Sequence, residues 1–139
     1  MTTESALTKI SNPTTTREAL VAAAIRLFAR KWFAVVSVAE ICREAGVSNG
    51  LFYRYFRSKE EIFRLILESV LRSIGDLLAG VRGDSVEERI RSFVRSVADY
   101  STEHRDLVSI FREGQYRFFE YEKRLTGQYI DAVSGILGR

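Results

Sequence analysis

The chain has almost none of the residues that staple a fold or run a reaction. One cysteine, Cys42, excludes an internal disulfide framework and a cysteine-rich zinc site. One histidine, His104, leaves no paired-histidine metal motif. One proline and nine glycines in 139 residues exclude a collagen-like or proline-rich filament. No run approaches the roughly 18 uninterrupted apolar residues of a membrane span. The opening MTTESALTKISNPTTT has no apolar stretch long enough for a secretory core. No Ser–His–acid set, phosphate-binding glycine loop or redox cysteine pair appears. These absences predict no catalytic or metal-binding residues, no cofactor, no membrane partner and, by default, a cytoplasmic location. Cys42 itself reads as a small core hydrophobe, with no neighbour that would make it a redox sensor. His104 reads as a helix-end residue.

What is present is helical. A composition of 46% hydrophobic and 28% charged residues is ordinary for a packed domain. Four sites place a Ser or Thr three residues before a Glu: Thr15–Glu18, Ser37–Glu40, Ser58–Glu61 and Ser85–Glu88. In such a capping box the hydroxyl accepts from a first-turn N–H while the carboxylate reaches back. Each opens a segment of helical periodicity. Leu20, Ala23, Ala24, Leu27 and Phe28 share one face of a first helix, from Thr16 to about Lys31. Val38, Ile41, Cys42 and Ala45 share one face of a second. A third starts at Asn49 and ends near Phe56. A fourth runs from Lys59 towards Ala79 with Ile62, Phe63, Ile66, Val70, Ile74 and Leu77 inward. A fifth, Val86 to about His104, is expected to bury Ile90, Phe93, Val94, Val97 and Tyr100. Leu107–Phe111 reads as an apolar turn broken by Gly114, and Phe118, Tyr121, Leu125, Tyr129, Ala132 and Ile136 mark a last helix. No segment alternates with period two, so the fold class is all-α.

Charge is uneven along the chain. Residues 1–63 hold nine Lys/Arg and six Asp/Glu, a net of +3, whereas the remainder holds twelve of each and nets zero. The whole excess lies where a polyanion would dock, although three charges alone do not separate that reading from chance.

The second and third helices are joined by Ala45-Gly46-Val47-Ser48, a helix-turn-helix pattern. Ala45 is small where helices cross, Gly46 permits the sharp turn, Val47 fills the angle, and Ser48 opens the next helix. That helix, Asn-Gly-Leu-Phe-Tyr-Arg-Tyr-Phe over residues 49–56, places Phe52 and Phe56 four apart on the core side. Tyr53, Arg54 and Tyr55 are then turned outward, where hydroxyls and a guanidinium suit phosphate and base contacts. Gly50 lowers helix propensity by about 1 kcal/mol relative to Ala, which close approach of a partner to the backbone would justify. Free N–H groups at such a helix start favour phosphate. Half-buried packing roles for Tyr53 and Tyr55, and a plain solvated charge for Arg54, stay open at this point.

Residues 17 to about 66 resemble the DNA-binding domain of the TetR/AcrR family of transcriptional regulators. The resemblance rests on Ala24, Leu27–Phe28, Ser37–Val38, Ile41, Ala45-Gly46-Val47-Ser48, Gly50, Tyr53, Tyr55-Phe56 and Lys59-Glu60. It implies a homodimer that binds a palindromic double-stranded DNA operator, as a repressor released by a small ligand in a C-terminal domain. Matched position by position, it implies groove contacts from Asn49, Gly50, Leu51 and Arg54. It implies phosphate contacts from Tyr53, Tyr55 and Lys59, and from the caps Ser37 and Ser48. Two positions depart from the family pattern. Trp32 stands where Gly is usual, which questions the tight turn after the first helix, and Val36 stands where Thr is common, removing a phosphate-bonding hydroxyl.

The resemblance divides the chain into a disordered arm at 1–14, a helix-turn-helix DNA-binding domain at 15–63 and a helical effector and dimerisation domain at 64–139. Family members are usually longer by two helices that pair across the dimer axis, so the second domain is expected to be incomplete. Phe93, Phe111, Arg112, Tyr116 and Phe119 are the candidates for binding a small hydrophobic or acidic effector; a plain bundle core with surface arginines is the competing reading. A helical protein-interaction module that keeps the fold without DNA binding is the competing function, in which the outward aromatics would be interface anchors.

Overall fold

The computed structural model describes residues 15–138, so the arm expected over residues 1–14 lies outside the described residues. Among the described residues seven α-helices follow one another: α1 Thr16–Arg30, α2 Val38–Ala45, α3 Asn49–Tyr55, α4 Lys59–Ala79, α5 Val86–Glu103, α6 Arg105–Arg117 and α7 Phe119–Leu137. A short 3-10 turn, Phe33–Val35, links α1 to α2. Among the described residues there is no strand.

All four expected caps form. The hydroxyls of Thr15, Ser37, Ser58 and Ser85 accept from the backbone N–H of the Glu three residues on, at 3.1–3.2 Å. Ser37–Glu40 closes reciprocally, with the Ser37 N–H donating to Glu40 Oε1 at 3.3 Å. Glu61 and Glu88 reach one residue further back, accepting from the N–H groups of Arg57 and Asp84. Each device satisfies donors that a helix start would otherwise leave orphaned.

One continuous core runs from Leu20 on α1 to Tyr121 on α7. Helix α4 is its axis: Ile62, Phe63, Ile66, Leu67, Val70 and Leu71 are all buried. It passes through the expected domain boundary at residues 63–64 as unbroken helix, so the two halves share an element rather than a linker. Helices α1, α5, α6 and α7 all pack on it.

Three expectations are corrected. Residues 107–111 are not an isolated turn: α6 is continuous through Gly114, which is buried where α6 crosses α4. A Cβ at Gly114 would lie 2.5 Å from Leu67 Cδ2, so the glycine is there for close approach rather than for a break. On α5, Ile90 and Val94 face solvent, and Phe93, Val97 and Tyr100 are only half-buried. The buried side chain of that helix is Arg89, whose guanidinium donates to the carbonyls of Ile136 (3.0 Å) and Gly83 (3.3 Å). It thereby ties the start of α5 to the last turn of α7. The third correction concerns Trp32. Its φ of −61° lies in ordinary extended backbone, and among the described residues no non-glycine residue has positive φ, so the link after α1 needs no glycine. Cys42 is buried, and desolvation pushes its thiol pKa up, as befits an inert core residue.

Gly114→Val should overpack the α4–α6 crossing and destabilise the fold by about 1–3 kcal/mol. Urea unfolding of the variant should show a lower midpoint at unchanged slope; an unchanged midpoint would mean that the two helices are not held this closely.

Candidate nucleic-acid interface

The geometry of the interface begins at the end of α2. Gly46 adopts the left-handed conformation (φ 73°, ψ 31°), and its N–H and that of Val47 return to the carbonyls of Arg43 and Cys42 at 3.2 and 2.9 Å. Nothing lies within 4 Å of a Cβ added at Gly46, so the backbone dihedral alone calls for glycine there. Val47 packs half-buried against the core, and the chain enters α3 after Ser48.

Helix α3 is pinned from one side only. Phe52 and Phe56 are buried with ring centroids 5.6 Å apart, which rotates the rest of the helix outward. Tyr53 is 60% exposed, its ring edge-on to Phe52 at 5.2 Å, and Tyr55 is 41% exposed. Ser48, Asn49, Gly50 and Arg54 are exposed as well, and Leu51 is half-buried. The Ser48 hydroxyl makes no capping bond, and a Cβ at Gly50 would meet nothing within 4 Å. No carboxylate occurs between Glu44 and Glu60, whereas Arg54, Arg57 and Lys59 do, so the protruding helix sits in a basic stretch. Ser37 lies exposed at the start of α2, its hydroxyl engaged in the capping box.

Lys59 is placed differently from the expectation. Its ammonium donates to the carbonyls of Phe33 (2.7 Å), Val36 (2.9 Å) and Ala34 (3.3 Å), which occupies all three protons. It also lies 4.4 Å from the Phe33 ring centroid. Burial, and then the nearby Arg117, hold its pKa below the ordinary lysine value, partly offset by Glu113. The side chain is thus a brace for the 3-10 turn rather than a free phosphate ligand. Val36 is buried, so the hydroxyl it replaces would not have stood on the surface in this conformation.

The same turn is gripped from the other side by a residue that the sequence did not single out. Both Glu113 oxygens, on α6, accept from the Phe33 N–H at 2.9 and 3.2 Å, and Arg117 stands 3.7 Å from Glu113 and 4.8 Å from the Phe33 ring centroid. The Phe33 ring packs against Phe28 and Phe63. A carboxylate eighty positions away therefore joins the second half of the chain to the helix-turn-helix. On the sequence it reads only as an i,i+4 partner of Arg117.

The five expected effector residues do not converge. A cavity of about 160 Å³ lies between α4, α5, α6 and α7, and of the five only Phe111 and Arg112 line it, with Tyr100 and Tyr129 among the other walls. Phe93 meets Tyr129 edge-on at 6.0 Å. Tyr116 is 93% exposed and Phe119 is 62% exposed. The cause is helical phase. At about 100° per residue, Tyr116 points some 140° away from Phe111, and Phe119 lies nearly opposite the buried Tyr121.

Lys59→Ala would leave the part-buried carbonyls of Phe33 and Val36 without their donor, and Glu113→Ala would orphan the Phe33 N–H. Each should cost about 1–3 kcal/mol in urea unfolding. A Lys59→Ala protein of full stability but weakened DNA affinity would restore the phosphate-contact role.

Residues 20–66 match the model of the bacterial regulatory proteins of the tetR family. An uncharacterised HTH-type transcriptional regulator of Bacillus subtilis, YuxN, is 30% identical over 131 residues, 86% of this chain and 45% of the relative. The HTH-type transcriptional repressor NicS of Pseudomonas putida is 30% identical over 97 residues, 68% of this chain and 46% of the relative. The chain thus spans less than half the length of these two relatives. The fold matches that of the fatty acid degradation regulator FadR from Bacillus halodurans with a TM-score of 0.69 at 20% identity, covering 90% of this chain and 68% of that one. Residues 20–66 thus carry the helix-turn-helix domain of the TetR family of bacterial regulatory proteins.

Proposed function

We propose that this protein is a sequence-specific DNA-binding transcriptional regulator, a ligand-responsive repressor that binds a palindromic operator as a dimer. The observation that carries the reading is the outward face of α3, where Tyr53, Arg54 and Tyr55 stand exposed on a helix whose opposite face is fixed by Phe52 and Phe56. In a helix-turn-helix the first residues of the second helix reach base edges in the major groove. Asn49, Gly50, Leu51 and Arg54 take that role here, with Tyr53, Tyr55, Ser37 and Ser48 positioned by the phosphates.

Dimerisation is assigned to the second half, residues 64–139. Ile130, Val133 and Leu137 form an exposed apolar stripe on α7, and Val86, Ile90 and Val94 form another on α5. Faces of this kind gain from a partner. The effector, a small hydrophobic or acidic molecule, is assigned to the inner cavity beside Phe111 and Arg112. Two walls of that cavity, α4 and α6, also hold the helix-turn-helix through Lys59 and Glu113, which supports a ligand-responsive mechanism.

Selecting bound duplexes from a random pool should recover an inverted repeat, and affinity for it should fall steeply with salt. Tyr53→Ala should weaken binding to all sequences. Arg54→Ala should relax preference at one base position, by about 1–3 kcal/mol of discrimination. No enrichment, or binding indifferent to salt, would contradict the proposal.

A further inference from the structure

A broad groove of about 1000 Å³ separates residues 28–32, at the end of α1, from the outer face of α6. It is not the inner cavity, and its walls are unusual for a surface that does nothing. Trp32, 72% exposed, and Tyr116, almost wholly exposed, both line it and add little to the core. Around them stand four cations, Arg30, Lys31, Arg112 and Arg117, against the single carboxylate of Glu113.

Three of those cations are already engaged. Arg30 pairs with Glu44 at 3.6 Å, Lys31 with Glu40 at 2.6 Å, and Arg117 with Glu113 at 3.7 Å. Glu113 is itself committed to the Phe33 N–H. Arg112, among the described residues, has neither a hydrogen bond nor an ion pair. The groove therefore offers one open guanidinium in a lining that also holds two exposed aromatic rings. A guanidinium presents a planar fork of donors matched to a carboxylate, and exposed rings give a planar apolar body a surface to stack on. A polyanion would need several open cations, so the complement is a single negative charge on a flat apolar frame.

We propose that this groove binds a small planar aromatic carboxylate, with its carboxylate on the Arg112 guanidinium and its ring against Trp32 and Tyr116. The site lies apart from α3 and shares only Arg112 with the cavity assigned above to the effector, and it stands whether or not the chain binds DNA.

Trp32 is the chain's only tryptophan, so its fluorescence reports this groove directly. The probe is 4-iodobenzoate, whose iodine quenches an indole on contact, and the control is the uncharged 4-iodobenzyl alcohol; no DNA is present. Saturable quenching by the acid is expected, with the alcohol roughly tenfold weaker and a similar loss for the acid in Arg112→Gln, the size of one charge-assisted contact. Arg112 also borders the inner cavity, whereas Tyr116 does not. Tyr116→Ala should therefore raise the midpoint several-fold while the circular dichroism spectrum stays unchanged. Non-saturating quenching that is equal for acid and alcohol would overturn the proposal. So would an unchanged midpoint in Tyr116→Ala, which would put the probe in the inner cavity, or in Arg112→Gln, which would remove the carboxylate contact.

Discussion

Helix α3 has seven residues, too few to hold a helix in water, and one of them is glycine. Its conformation depends on the burial of Phe52 within it and of Phe56 at its end. Full burial of a phenylalanine contributes about 1.5–3 kcal/mol, so two of them outweigh the roughly 1 kcal/mol that Gly50 costs. Because the anchors are four residues apart, they fix the rotation of the helix as well as its existence. Tyr53, Arg54 and Tyr55 are displayed as a consequence of that phase. The surface is held by these two rings together with the backbone bonds of α3, among them Leu51 N–H to the Ser48 carbonyl (3.1 Å) and Phe56 N–H to the Phe52 carbonyl (2.9 Å).

The second constraint is the turn at residues 33–36, where the two halves of the molecule meet. Lys59 from α4 takes its carbonyls, Glu113 from α6 takes the Phe33 N–H, and the Phe33 ring sits among Phe28, Phe63 and two cations. Such a part-buried polar cluster is strong only when complete, since any member removed leaves an unsatisfied partner. It holds the start of α2, and through α2 and Gly46 it sets where α3 begins. Movement of α6 relative to α4 would be felt first at this turn, which gives the second half of the chain a physical handle on the first.

The first half was largely legible in the sequence, because its signals are local. The Ser/Thr-x-x-Glu caps, Gly46 after Ala45, and the Phe52–Phe56 spacing each act within five residues; the glycine turn, the ring pair and the cap hydroxyls form as read, while Glu61 and Glu88 close on the residue before the cap. The features that escaped depend on distant partners. Lys59 reads as a free cation until the turn at Phe33 folds back on it from 26 positions away. Glu113 reads as half of a helix-surface pair until Phe33 meets it across 80 positions. Gly114 reads as a helix breaker unless Leu67 is known to lie against it. On α5, hydrophobic spacing suggests burial, but periodicity gives only a face and not what covers it, and Ile90 and Val94 are exposed. The aromatic residues 111–121 span the junction between α6 and α7, and helical phase disperses them around two axes.

The central claim, that α3 is the surface applied to DNA, is tested most directly by amide hydrogen exchange with and without a duplex recovered by selection. The account predicts new protection concentrated in residues 37–40 and 48–57, with the exposed faces of α5 and α7 unaffected by the duplex at constant protein concentration. Protection confined to residues 86–137, with α3 exchanging as in the free protein, would contradict it.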